Sequence, residues 1–407
     1  MRRWFVGMTA LGLACGGDSS GPSAASVTGV AGDNQSGPKG ASLPLPLTFT
    51  ALGSDGLPIE GVTVTWSATP AGAAAFAPTS GPTDANGVAS ANVVLGTTLG
   101  TITMQASLNG VSPVVYHATV LDPCDTFTPY TVGQTVSGTL TTFDCLRAQW
   151  YYDFYSVDLP AGQQSLRFKM HGSGNLDDTF LDLYTGAGQI AAVDDDSILG
   201  QAGARNSQLD IILPGDTSYI LGANSFDQFV TGNYILSSET RSTNMNGCRQ
   251  VWVVRGVTVP DSIKATDCPD SSAITKYYDV ARIIVFAPSV LKLRMSSSAL
   301  NPSLALYQID PNTYARTLVA SNDDSLAGTT TNAFIQYSVI ANTGCVGSTI
   351  CFYDIIVGTS TGGETGAYTF EVYSSTTLSP RIAGSPGLSS GRNNWWRDVT
   401  IPKRSRQ

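Results

Sequence analysis

The stretch "QWYYDFYSVDLPAGQQSLRFKM", Gln149 to Met170, decides the reading of most of the chain, because it returns as "TKYYDVARIIVFAPSVLKLRM" from Thr275 to Met295. Each copy closes on strict alternation, Leu-x-Phe-x-Met in the first and Leu-x-Leu-x-Met in the second. A two-residue period puts those side chains on one face of a half-buried strand, whereas a helix needs apolar positions three and four apart. The copies continue side by side. "LDLYTGAGQIAAVDDDSILG" corresponds to "LALYQIDPNTYARTLVASNDDSLAG", and "DTSYILGANSFDQFVTGNYILSS" to "CFYDIIVGTSTGGETGAYTFEVYSS". The offset between equivalent residues grows from 124 at Cys124/Cys248 to 128 at Asp195/Asp323 and 134 at Tyr234/Tyr368. The last increase falls on "ANTGCVGSTIC", an inserted loop that carries Cys345 and Cys351. The repeat predicts two tandem β-sandwiches, over residues 122–241 and 244–375.

Ahead of the repeat, residues 26–121 show the same period in different words. "VTVTW" (Val62 to Trp66) places Val62, Val64 and Trp66 on one face, and "GVASANVVLG" and "TITMQASL" alternate likewise. Turn signals such as "GSDG" and "TDANG" separate them. Gly, Ser, Thr and Val dominate while Lys and Glu are scarce, the profile of all-β modules with many turns. The fold class expected is therefore all-β, with three tandem β-sandwich domains and termini that lack fixed structure.

Two resemblances sharpen this. The Gly-Val-x-Val-x-Trp strand and the Thr-Asp-x-x-Gly turn, in that order within residues 26–121, resemble the bacterial immunoglobulin-like domain of the invasin and intimin type. That resemblance implies a spacer or adhesion module and carries no catalytic residue. The "LDLY" strand, the acidic "DDDS" loop and the closing "GNYILSS" or "GAYTFEVYS" resemble the bacterial pre-peptidase C-terminal domain, a small jelly-roll-like sandwich. Its relatives include collagen-binding modules of secreted proteases, although no protease domain accompanies it here.

The N-terminus bears on the compartment. Arg2 and Arg3 precede an apolar run from Trp4 to Ala14, too short to span a bilayer and shaped like a signal peptide over residues 1–14. "LGLACGGDSSGPSAA" resembles the lipobox of bacterial lipoproteins, which implies lipidation of Cys15 and a flexible linker over residues 15–25. The expectation is an exported protein on the cell envelope or outer-membrane surface, meeting the membrane through its lipid alone. Cysteine usage agrees with export. Beyond Cys15 there are six, and their spacing suggests the bridges Cys124–Cys145, Cys248–Cys268 and Cys345–Cys351. The first two loops would each gain about 3 kcal/mol on a loop-entropy argument. The formal charge of −9 argues against a nucleic-acid partner.

Candidate chemistry concentrates in carboxylates. Asp177 and Asp178 stand before the "LDLY" strand, and Asp194, Asp195 and Asp196 follow the next one. Antiparallel neighbours would gather both turns at one end of a sandwich, where hard oxygen ligands suit Ca²⁺, with Asp178, Asp194, Asp195 and Asp196 as ligands. The alternative is a solvated turn, since Asp-Asp-Ser is ordinary turn chemistry. The second copy has Asn301 in place of the first aspartate. A catalytic set is not expected. "GDSSG" (Gly17 to Gly21) and "GLSSG" (Gly387 to Gly391) fit Gly-x-Ser-x-Gly but lie in linker-like sequence, and His117 and His171 have no triad context. After Ser375 the pattern dissolves into residues 376–407, which include Trp395 and Trp396. The function expected is a non-catalytic surface binding or adhesion protein with a polysaccharide or matrix-protein ligand. Its rivals are a structural envelope spacer and an accessory to a secreted hydrolase.

Overall fold

The computed structural model describes residues 22–194, 205–242, 244–245, 250–270, 273–311, 313–323 and 332–373. Cys15, Asp195, Asp196, Cys248, Trp395 and Trp396 lie outside them. Apart from a single 3-10 turn at Pro123–Asp125, every regular element described is a strand. The chain divides into two compact units, Met1–Asp122 and Pro123–Gln407.

The first unit is a two-sheet sandwich of nine strands. They are β1 (Ser26–Ala31), β2 (Gln35–Pro38), β3 (Leu47–Leu52), β4 (Thr63–Thr69), β5 (Ala74–Ala77), β6 (Ser80–Pro82), β7 (Val88–Leu95), β8 (Gly100–Leu108) and β9 (Val114–Leu121). One sheet runs β1-β3-β7-β5 and the other β2-β9-β8-β4-β6. The alternation of "VTVTW" becomes a buried face, with Val62, Val64 and Trp66 all inside. Trp66 centres this core, its ring about 6 Å from those of Phe49, Phe76 and Tyr116. "TDANG" turns because the Asp84 carboxylate accepts the N–H groups of Asn86 and Val88.

The second unit holds both copies of the repeat. Strands of the first copy are β10 (Thr128–Tyr130), β11 (Thr135–Leu140), β12 (Cys145–Arg147), β13 (Trp150–Asp158), β14 (Gln164–Ser173), β15 (Thr179–Thr185), β16 (Ile190–Asp194), β17 (Ser207–Leu213), β18 (Ser218–Ser225) and β19 (Gly232–Thr240). The second copy follows with β20 (Val251–Val253), β21 (Thr258–Ile263), β22 (Cys268–Asp270), β23 (Ala273–Phe286), β24 (Ser289–Ser296), β25 (Pro302–Ile309), β26 (Arg316–Asn322), β27 (Asn332–Val339), β28 (Ile350–Thr359) and β29 (Gly366–Val372). In the first copy, a sheet β10-β13-β18-β15-β16 faces β11-β19-β14-β17. The second copy sets β23-β28-β25-β26 against β21-β29-β24-β27. Disulfides join Cys124 to Cys145 and Cys345 to Cys351, and Cys268 is also disulfide-bonded.

The copies share one ladder. β10 and β20 pair in parallel with equivalent strands, β13 and β23, but β20 also pairs in parallel with β17, setting Ile211 against Trp252 and Ile212 against Val253. Three residues thus fuse two half-sandwiches into a ten-stranded sheet. They also satisfy a strand edge that would otherwise stand open. Apolar packing follows the ladder: Trp252, Ile284, Ile309, Ile350 and Phe352 of the second copy belong to the same buried cluster as Leu183, Ile211 and Tyr219 of the first. Trp252 is 5% exposed, and its ring meets Phe352 at 6.4 Å. Trp252→Ala should therefore lower stability by about 3 kcal/mol and split one cooperative melting transition of the second unit into two, which differential scanning calorimetry reads directly.

Candidate functional site

The two "YYD" motifs and the two closing "GNY" or "GAY" motifs, with aspartate and tyrosine 81 residues apart in the first copy and 89 in the second, meet between the sheets. Tyr234 on β19 donates its hydroxyl to Asp153 on β13 across 2.5 Å, joining the two sheets of the first copy. Tyr155 stands 2.6 Å from the same hydroxyl. In the second copy Tyr368 on β29 donates to Asp279 on β23 at 2.7 Å. Gly138 sits opposite Tyr234 in the β11–β19 ladder, and a Cβ there would come within 2.2 Å of the ring. The glycine is what lets the tyrosine lie flat across its neighbour and reach the other sheet.

Burial pushes the Asp153 carboxyl up to about 7, the charge of Asp144 adds to that, and the Tyr234 hydrogen bond opposes it. A carboxyl raised above its unfolded value near 3.9 contributes stability that is complete below pH ~4 and lost as pH climbs through ~7. Asparagine at this position keeps an acceptor and cannot ionise. Asp153→Asn should accordingly gain on the wild type by up to about 4 kcal/mol between pH 4 and pH 8. Urea denaturation of both proteins across that range measures the difference.

At one end of the first copy, the β15–β16 hairpin sets Leu181 opposite Asp194 and so returns the chain to the end where Asp178 lies. Asp178 is 3% exposed and takes an ion pair from Arg205 at 2.8 Å. The Asp194 carboxylate accepts the backbone N–H of Gln208 at 2.6 Å. The described members of the expected calcium set are thus engaged by the protein itself. Among the described residues, no group of three or more His, Cys, Asp or Glu side chains is placed to hold a metal ion.

A second polar cluster has no counterpart in the sequence reading. Arg147, from β12, is buried with its guanidinium carbon 5.5 Å from the ring of Tyr152, 5.9 Å from Phe154 and 5.6 Å from Tyr184. It donates to the Tyr184 hydroxyl, which donates to Asp182, and the Asn224 amide donates to Asp182 as well. Desolvation raises the Tyr184 phenol, with the Asp182 charge adding to it. The second copy solves the same problem with other residues. Asp354, wholly buried, holds Arg282 at 2.7 and 3.1 Å together with Arg316, and Trp252 stacks on Arg282. The signal was the aspartate inside "LDLY", a charge at mid-strand where the second copy has Ala305.

Near the same end an apolar corner faces solvent. Leu146 of β12 is opposite Tyr151 of β13, and the Tyr151 ring meets Phe229 of the β18–β19 loop at 6.5 Å and 67°. Leu146 is 44% and Phe229 55% exposed. The loop is pinned to its surroundings: the Trp150 indole donates to the Phe226 carbonyl, Phe226 N–H to the Asp178 carbonyl, and Phe229 N–H to the Gln149 carbonyl.

Residues 151–225, the strands β13 to β18 that build this end, match the bacterial pre-peptidase C-terminal domain. That domain is non-catalytic and typical of extracellular or surface proteins. Among solved structures, the chain is similar to the pre-peptidase C-terminal domain of collagenase from Bacillus anthracis, with 18% identity, a TM-score of 0.22, and coverage of 28% of this chain and 96% of that one. It is similar also to the D0-D1 domain of intimin, with 14% identity, a TM-score of 0.20, and coverage of 54% and 99%. No curated protein matches the chain significantly. Among the described residues, no helix is long and apolar enough to cross a membrane.

Proposed function

We propose that this chain is a non-catalytic binding or adhesion protein of the cell surface, exported and anchored through lipid on Cys15. The observation that carries the reading is the exposed corner of Leu146, Tyr151 and Phe229 on the domain that matches a family typical of extracellular proteins. A contiguous apolar patch left in water costs free energy in the unbound protein, and patches of this kind mark places where a partner docks. A spacer with no ligand has no use for one. In chain order the first unit lies between Cys15 and the unit that carries this corner.

The test is an array of surface glycans and matrix proteins probed with the purified chain. Binding to a defined set, competed by free ligand, is the expected result; a uniformly blank array would leave the spacer as the better account. Anchoring is checked separately. The wild type should partition into detergent, and Cys15→Ser should move it to the aqueous phase.

A further inference from the structure

Phe229 has φ +56°, the left-handed region that glycine enters freely and that a bulky aromatic side chain avoids. The repeat supplies its own comparison. Tyr234 and Tyr368 are equivalent, and the same offset of 134 places Phe229 opposite Gly363. Gly363 has φ +82°, so both copies bend the β18–β19 and β28–β29 loops the same way at the same position. A Cβ on Gly363 would meet nothing within 4 Å, so no neighbour demands a side chain there. The second copy uses the residue the backbone favours. The first copy holds phenylalanine in that conformation and points its ring at water beside Tyr151.

We propose that Phe229 and Tyr151 form the contact point for a polypeptide ligand that presents an apolar side chain flanked by Lys or Arg. This rests on the binding reading above and names the site and the partner class. The rings meet at 67°, which makes a corner for a side chain to enter rather than the flat platform on which a sugar ring stacks. Leu146 extends the corner with aliphatic surface. Its borders are acidic. Asp144 precedes Leu146 by two residues, Asp227 precedes Phe229 by two, and Asp177 lies in the turn whose Asp178 carbonyl holds the Phe226 N–H. The arginines of this end are already engaged, Arg147 by its aromatic cage and Arg205 by Asp178. A cationic flank on the partner therefore meets complementary charge. The backbone hydrogen bonds that pin the loop keep the ordering cost of binding small.

The experiment uses the full chain and a fluorescein-labelled peptide of repeating Lys-Leu-Lys-Phe, read by anisotropy. Controls are the matched Glu-Leu-Glu-Phe and Lys-Gly-Lys-Gly peptides and a labelled cellohexaose. The expected result is saturable binding of the first probe, at least tenfold weaker in Phe229→Gly, with little or no binding of the others. Phe229→Gly installs the second copy's own residue and should melt no lower than the wild type. A clear fall in melting temperature would show that Phe229 serves packing and overturn the proposal. So would equal binding by wild type and variant, preference for the glutamate or glycine peptide, cellohexaose binding that depends on Phe229, or no binding of the first probe. If the glycan and matrix array is positive and unaffected by Phe229→Gly, this site fails while the binding function stands; a blank array removes both.

Discussion

A hydrogen bond from a buried tyrosine hydroxyl to an aspartate of the facing sheet ties the opposing sheets of each copy. In the first copy it joins Asp153 to Tyr234 and in the second Asp279 to Tyr368. Apolar contacts between sheets are non-directional and tolerate sliding, whereas a donor that must find one acceptor in a dry interior fixes the register of both sheets at once. Much else follows from that demand. Gly138 has to be bare so that Tyr234 can cross it. The strand carrying the aspartate lies inside its sheet rather than at an edge, flanked by β10 and β18 in one copy and by β20 and β28 in the other.

Both copies then face a second problem, since strands of the same sheet, β15 and β18 in the first copy and β28 in the second, bury both of their faces. Each copy admits charge into this layer and neutralises it locally, one through an arginine in an aromatic cage beside Asp182, the other through two arginines on Asp354. Removing one partner from such a cluster leaves an uncompensated buried charge, so the arrangements are strongly coupled within themselves while differing freely between copies. Shared backbone with divergent polar filling is what allows the copies to remain one fold and yet present different surfaces.

The sequence makes the strands and the repeat legible because a period of two and a recurring motif are local signals. Val62, Val64 and Trp66 face inward as their alternation requires, and "YYD" and "GNY" stand out because they occur twice. Contacts between them are not local, and nothing in either motif names the other. The acidic loop stands out as a run of charge; the structure sets Asp178 against Arg205 and Asp194 against a backbone N–H, while Asp195 and Asp196 lie outside the described residues. The roles of Arg147 and Asp182 are not legible in the sequence, because a lone charge in an apolar strand breaks a pattern without saying what replaces it. Phe229 was invisible for a different reason: its interest lies in a backbone angle, and only alignment with Gly363 in the folded repeat exposes it.

The shared ladder also sets an order of events. A chain that emerges N-terminus first presents β17 before β20 exists, so the first copy begins life with a raw strand edge. The strand that closes it is Val251–Val253, only a short connection beyond the end of β19 at Thr240. At synthesis rates of about 5–20 residues per second the wait is on the order of a second. Had the closing strand been encoded at the far end of the second copy, the edge would have stayed open through the making of a whole further sandwich. The repeat thus suits vectorial assembly, with the β17 edge of the first half partly covered soon after that half is made.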